Sequence, residues 1–242
     1  MSFNPNMSNK EVADLIFLNY KDQSHFMDLD YANVTTTGLE ATREYATGGQ
    51  GAPQRIVFDG QRKGTLKIES QIGTMKFFSM IAGSDIENTF KYVKKYTLTA
   101  AQADTTPTLT IPDGDTVVAG TVEVYKDGSD SKAEVTVTGN AITGSGLTAG
   151  DKYTVYAMIN VSDAQTVKFN SSNFPKAYTI YGETPWKTED EEIVAMHLAY
   201  YKAVPQSQFE LAFSNTGIIS LSITCDLLAN GDGDIYDMAV VE

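Results

Sequence analysis

The feature that most constrains the fold is a long polar stretch with a glycine-rich centre. Val34 to Thr47 carries β-prone Thr, Leu and Tyr residues, yet it offers little to bury on either face. Gly48 to Pro53 (GGQGAP) has the composition of a mobile loop. Gln54 to Phe58 (QRIVF) then begins a return arm. The stretch therefore predicts a long β-hairpin with a glycine-rich tip.

Such a hairpin is poorly suited to a monomer. Its backbone edge is exposed, and its polar faces cannot offset the entropy lost on ordering. We expect either disorder in the free subunit or ordering by a neighbouring copy. The predicted subunit-interface residues are Thr47, Gly48, Gly49, Gln50, Gly51, Ala52, Pro53 and Arg55.

Two further elements follow the return arm. Asp59-Gly60 is a turn signal, and alternation from Thr65 onward predicts a strand. The apolar face of that strand would hold Leu66, Ile68, Ser70 and Ile72. A short helix is predicted over 74–82, with Thr74 as N-cap and Gly83 at the C′ position. Its sheet-facing side is predicted to be Met75, Phe78 and Ile81–Ala82.

Composition excludes several classes of protein. The 242 residues, 42% apolar and 20% charged, can build a sizeable core. A net charge of −13 argues against binding nucleic acid through phosphate neutralisation. The lone Cys225 excludes an intrachain disulfide. We expect no signal peptide, no membrane insertion and a soluble protein made in a reducing cell.

The middle of the chain differs from its flanks. Residues 100–107 (AAQADTTP) are predicted to be a linker. Four short strands separated by turn signals follow. A pattern L-x-x-G-x-x-Y from Leu147 to Tyr153 resembles the tyrosine corner of immunoglobulin-like and fibronectin-type modules, in which a Tyr at the start of a strand bonds back to the preceding turn. The predicted strands are Thr108–Ile111, Thr121–Tyr125, Ala133–Thr138 and Tyr153–Val161. We predict a small Ig-like β-sandwich at 99–163, inserted between 1–98 and 164–242 of a larger β-domain.

The flanking segments carry β patterns as well. The candidate strands are Ala13–Tyr20, Phe26–Leu29, Val167–Phe169, Ala177–Gly182, an alternation through Phe209, Leu211 and Phe213, an apolar row from Ile219 to Leu227, and Ile235–Val241. Ile193 to Val204 is compatible with a helix, through a Thr188-x-x-Glu191 capping box, or with a strand. We favour the strand because Val, Ile and Tyr are β-prone. Glu189 to Glu192 is interpreted as a solvated turn.

Residues for catalysis or metal binding do not form a recognisable pattern. His25 and His197 have no partner at metal-ligand spacing. Cys225 falls within an apolar row, which predicts a core residue and not a nucleophile. The acidic loop beginning at Asn230 fails the calcium-loop pattern at its sixth and twelfth places. We predict no enzyme, no metal and no cofactor. Spacing alone does not exclude paired acids for glycoside hydrolysis.

Three parts of the chain together resemble phage tail tube proteins, the major tail proteins of tailed phages and related contractile injection systems. They are the long hairpin, the strand–helix step from Thr65 to Gly83, and the run from Ile193 to Glu242. Within that run the resemblance is carried by KAVP from Lys202, by FELAF from Phe209 and by ITCDLLA from Ile223.

This resemblance implies a mostly β sandwich or barrel fold with one helix. The subunits would form hexameric rings that stack into a hollow tube for DNA delivery. The implied partners are further copies of the chain and sheath, tape-measure and baseplate proteins, with DNA passing through without specific binding. The protein would belong to the virion tail and assemble in the bacterial cytoplasm. The alternative is an Ig-like adhesin or virion decoration protein that binds a host-surface glycan.

Overall fold

The computed structural model describes residues 6–103, 106–211, 217–218 and 220–241. The chain is mostly β with one helix, α1 (Met75–Ala82), among the described residues, which confirms the predicted class. The strands are β1 (Met7–Ser8), β2 (Asp14–Asn19), β3 (His25–Leu29), β4 (Ala32–Thr47), β5 (Gln54–Ser70), β6 (Phe90–Thr99), β7 (Ala101–Ala103), β8 (Thr106–Thr110), β9 (Thr116–Val117), β10 (Glu123–Lys126), β11 (Thr136–Thr138), β12 (Ala141–Thr143), β13 (Lys152–Val161), β14 (Tyr178–Thr188), β15 (Ile193–Pro205), β16 (Leu221–Leu227) and β17 (Tyr236–Val241).

The chain divides into two compact units. The first unit comprises Met1–Asp85 and Val167–Glu242, and the second comprises Ile86–Thr166. The second unit therefore begins before β6, a strand that pairs with β13 along its whole length.

The first unit is built on one nine-stranded antiparallel sheet in the order β3-β2-β14-β15-β16-β5-β4. Strand β1 adds to β14, and β17 adds to β15 beside β16. Among the described strands β3 and β4 do not pair, so the sheet stays open. The barrel half of the predicted sandwich/barrel fold is therefore wrong for the single subunit.

The core of the first unit lies between this sheet and α1. Leu15 and Phe17 alternate inward from β2, and Leu66 and Ile68 do so from β5. Alternate residues of β16, from Leu221 to Leu227, complete the face. The buried thiol of Cys225 belongs to this row, and burial raises its pKa to about 12. The prediction that Cys225 is a core residue is confirmed.

Helix α1 has the predicted ends but a different buried side. The Thr74 side chain accepts a hydrogen bond from the Phe77 amide, and Gly83 adopts φ 64°. Phe77, Met80 and Ile81 are buried, whereas Met75 and Phe78 are only partly buried. The predicted side was thus rotated by about one residue, because the pattern offered large apolar residues on both sides of a short helix.

Most of the flanking strands are confirmed, including β15 in the segment that was compatible with a helix. The acidic run after β14 is an exposed turn, as interpreted. Val167–Phe169 is not a strand, and neither is the segment holding Phe209 and Leu211. Phe209 instead packs its ring on Phe78 and Phe169, with centroids 5.9 and 6.2 Å away. Phe213 and Ile219 lie outside the described residues, and Ile72 is exposed beyond the end of β5.

The second unit encloses one core between two small antiparallel sheets. Their orders are β10-β13-β6, with β9 added to β13, and β11-β12-β8-β7. The linker prediction was wrong, because β7 pairs with β8 and Ala100 is buried. The composition did not indicate this strand pair because most of its side chains are small. Asp104 and Thr105 lie outside the described residues. The buried Tyr153 hydroxyl accepts from the Thr148 amide at 2.8 Å, which confirms the predicted tyrosine corner.

A three-residue network links β6 to the residue that precedes β9. The Asp115 carboxylate accepts from Lys94 Nζ at 2.7 Å and from the Tyr96 hydroxyl at 2.8 Å. The hydrogen bond from Lys94, and then that from Tyr96, hold the pKa of Asp115 below its usual value. A lowered aspartate pKa adds stability above the unfolded pKa of ~3.9, and that contribution disappears as pH falls through the folded value.

We therefore expect Asp115→Asn to destabilise the second unit at pH 7, with the difference from the unsubstituted protein shrinking below about pH 4. Urea unfolding followed by circular dichroism at pH values from 7 to 2.5 measures this directly. An undiminished difference at the lowest pH would show that Asp115 acts through packing and not through its charge.

Candidate subunit interface

The predicted hairpin exists as strands β4 and β5, and half of it projects from the sheet. Residues from Gly64 to Ser70 of β5 pair with β16 on one side and β4 on the other. From Gln54 to Lys63, β5 pairs with β4 alone, and every residue there is exposed. At about 3.4 Å per residue this leaves a two-stranded ribbon roughly 30 Å long. An isolated two-stranded ribbon is at best marginally stable in water.

The predicted turn at Asp59-Gly60 is wrong, because β5 runs continuously through both residues. The register shifts here, because Ala41 pairs with Arg62 and Arg43 pairs with Asp59. Gly60 and Gln61 of β5 therefore lie opposite the single residue Thr42, which makes a β-bulge on β5. A Cβ added to Gly60 would lie 2.3 Å from the Thr42 hydroxyl oxygen. The glycine thus admits a close approach at a bulge. Arg43 Nε donates to Asp59 at 2.7 Å across the strands, which holds the ribbon together here.

The tip from Gly48 to Pro53 is a tight exposed turn. The Gly48 amide donates to the Pro53 carbonyl at 3.2 Å, and the Ala52 amide donates to Gly49 at 3.0 Å. Arg55 Nε donates to the Gly48 carbonyl at 2.9 Å. Arg55 therefore fixes the tip within its own chain, while the other predicted interface residues form or border the turn. Their part in subunit contacts remains a prediction.

The arms carry large apolar side chains that the predicted interface omitted. Ile56 and Phe58 are 56% and 59% exposed and lie on one face of the ribbon. Tyr45 and Val57 are directly paired on the opposite face and are 47% and 48% exposed. The consecutive apolar residues Ile56-Val57-Phe58, adjacent to a polar glycine-rich tip, were the available sequence signal. Exposed apolar residues concentrated in this way are typical of binding surfaces.

The face of the first unit's sheet that points away from α1 carries carboxylates on several neighbouring strands. Asp28, Asp14, Glu183 and Asp237 come from β3, β2, β14 and β17, and the strand registers place them on this one face. Glu183 pairs with His197, whose Nδ1 is 3.9 Å from the carboxylate. Asp237 accepts a hydrogen bond from Tyr201. We call Asp14, Asp28, Glu183 and Asp237 the acidic sheet face.

The histidines and acidic loops form no metal site in the described part of the chain. No group of three or more His, Cys, Asp or Glu side chains there is arranged to hold a metal ion. His25 contacts Asp28, with Nε2 2.9 Å from the carboxylate. In the loop after β16, the Asn230 side-chain oxygen accepts from the amides of Asp232 and Asp234, which makes the loop a hydrogen-bonded turn. None of the described helices has the length and apolar character to cross a membrane.

Comparison with known families supplies the remaining observation. The sequence model of the YomU/Tube protein family matches residues 9–240, nearly the whole chain. The chain belongs to the YomU/Tube protein family. A search of curated proteins found no match. Membership makes the chain a tube-type structural protein of phage origin, which agrees with the tail-tube resemblance at that level and supports a non-enzymatic role.

Proposed function

We propose that this tube protein is the tail tube subunit of a phage or related injection system, and that it forms stacked, hexameric rings around a DNA conduit. The observation that carries the proposal is the projecting ribbon, whose exposed apolar pairs have no partner surface among the described residues of their own ribbon. Burying such surface on another copy would supply the free energy that an isolated ribbon lacks.

Ring closure would also satisfy the edges of the main sheet. Strands β3 and β4 end the sheet path and leave backbone groups available for pairing. A closed ring of identical subunits removes such edges, since each subunit's edge meets the opposite edge of its neighbour. The barrel absent from the subunit would then form in the assembly.

The acidic sheet face is the proposed lining of the lumen. A lumen lined with Asp14, Asp28, Glu183 and Asp237 would repel DNA phosphates and allow the genome to slide. The net charge of −13 for the whole chain fits this arrangement. A reconstruction of the assembled tube that placed these four residues on the outer wall would refute the lining.

The remaining partners follow from the same proposal. The length of a tail tube and its attachment to the rest of the tail depend on other components. Sheath, tape-measure and baseplate proteins are therefore the proposed binding partners. The proposed location is the virion tail, with assembly in the cytoplasm of the bacterial host. The module-based alternative, an adhesin or decoration protein, would depend on the second unit and not on polymerisation.

The direct test is negative-stain electron microscopy of purified protein over a concentration series, with light scattering alongside. Hollow tubes or six-fold rings support the proposal. Deleting the second unit should leave tubes intact, whereas monomers at every concentration, with and without a tail-initiation complex, would overturn it.

Proteolysis gives an independent prediction about the tip. Gly48 to Pro53 is exposed in the subunit, so a low-specificity protease should cleave there in dispersed protein. In assembled tubes the same segment should be protected, as mass spectrometry of timed digests will show. The exposed acidic turn after β14 serves as an internal reference for protease activity. Equal cleavage rates at the tip in both states would contradict an interface role.

A further inference from the structure

The second unit carries a surface cavity that tube assembly does not explain. It has a volume of about 650 Å³ and lies on the outward face of β10, β13 and β6, next to the loop after β10. This volume falls in the range of ligand pockets, which is roughly 300–1,000 Å³.

Strand alternation explains why aromatic rings line this cavity. Val124 and Val155 point into the core and are fully buried, so their neighbours Tyr125 and Tyr156 point outward. The two rings meet edge to face, with centroids 6.2 Å apart and planes at 75°. Exposed Val93 from β6 extends the apolar wall. An aromatic wall left at the surface of a small unit is a feature of ligand recognition.

Polar groups surround this wall. Glu123 accepts from Lys132 Nζ at 3.1 Å and from the Tyr125 hydroxyl at 3.3 Å. The bond from Lys132 is the main cause that lowers the pKa of Glu123, so it remains a carboxylate at neutral pH. The loop adds the carboxylates of Asp127 and Asp130, and Gly128 allows the turn with φ 77°.

The lining selects among ligand classes. Carboxylates disfavour a phosphate or nucleic acid. A cationic ligand is disfavoured because lysines already occupy its partners. Lys132 pairs with Glu123, and Lys95 Nζ lies 5.9 Å from the Tyr156 ring centre. A purely apolar ligand would leave the carboxylates desolvated without partners.

A neutral saccharide fits both the aromatic wall and the carboxylates around it. The C–H face of a pyranose packs on the negative face of an aromatic ring, and its hydroxyls donate to carboxylates. We propose that this cavity, which we call the Tyr125–Tyr156 site, binds neutral pyranose saccharides. The proposal goes beyond tube formation, and binding is measurable on dispersed subunits whether or not they polymerise.

The test is an NMR titration of the full chain with three neutral trisaccharides: maltotriose, cellotriose and N,N′,N″-triacetylchitotriose. Amide shifts confined to Val93, 123–130 and 154–156 on addition of at least one trisaccharide are expected. Tyr156→Ala should weaken that binding at least about tenfold, whereas Tyr156→Phe, which keeps the ring, should retain most of it. Tyr92→Ala removes an exposed tyrosine from β6 outside the cavity and should leave the affinity unchanged.

A second variant separates lost binding from lost folding. Asp130→Asn alters an exposed loop residue, so the unit stays folded while one acceptor is weakened, and a loss of about threefold or more is expected. Three outcomes overturn the proposal: no localised shifts with any of the trisaccharides at millimolar concentration, binding unchanged by Tyr156→Ala, or shifts produced only by a lysine-rich peptide tested in parallel.

Discussion

Replacing Ile56 and Phe58 together by serine should abolish tube formation while leaving the subunit folded. Both side chains are more than half exposed on one face of the projecting ribbon. Burial of each against a neighbouring copy would contribute about 1.5–3 kcal/mol. Their combined loss raises the concentration needed for assembly by at least about a hundredfold. Electron microscopy and light scattering across a concentration series measure the change.

The stability of the subunit should change little in this double variant, because substitutions at exposed positions change the free energy of unfolding by less than ~0.5 kcal/mol each. Phe90→Ser is the matched control: Phe90 begins a strand of the second unit and is 48% exposed. The Phe90→Ser variant should form tubes at the same protein concentration as the unsubstituted protein. Normal tubes from the Ile56→Ser/Phe58→Ser variant would remove the ribbon from the proposed interface.

Phe77→Ala should produce the largest loss of subunit stability. The Phe77 ring is fully buried where α1 packs on the main sheet, in a cluster with Leu66 and Ile68. Truncating a buried phenylalanine removes its transfer free energy and leaves a cavity, which together cost about 3–5 kcal/mol. Denaturant unfolding followed by the fluorescence of Trp186, the single tryptophan, reports on the first unit.

Two other variants calibrate this result. Phe174→Ala truncates the same residue type at a position that is 68% exposed, so its effect should stay within ~0.5 kcal/mol. Phe77→Leu keeps most of the apolar volume and should lose less stability than Phe77→Ala. Similar effects at Phe77 and Phe174 would mean that α1 does not pack as described.

The hairpin shows which features the local sequence pattern could predict. Glycines at 48, 49 and 51 identified the tip, and the shortage of apolar residues on β4 identified arms that no local core covers. The same reasoning failed at Gly60, where a glycine that signals a turn instead lies in a bulge of its own strand, close to Thr42 of the paired strand. Local sequence does not specify which residue lies opposite a glycine across a strand pair. The apolar run Ile56-Val57-Phe58 was visible in the sequence, but its exposure follows from strand pairing, since β16 covers β5 only from Gly64 to Ser70.

The second unit likewise combines features that local sequence predicted with features that it did not. The spacing from Leu147 to Tyr153 was sufficient to predict a tyrosine whose hydroxyl bonds back to the preceding turn. The Tyr125–Tyr156 site was not predictable, because its two rings are 31 positions apart and meet only through the register of β10 on β13. β7 was also missed, since alanines that pair in a strand resemble a linker in composition.

The amino-acid sequence alone was enough to predict the β class, the capped ends of α1, the buried row of β16 and the presence of a long polar hairpin. These depend on spacing along the chain, on caps and on turn residues, which act over a few positions. The tertiary structure alone decided that the main sheet is open, that Phe77 and not Met75 faces it, and that four carboxylates share one face. Such features depend on which strands pair and in what register, and long-range pairing sets both.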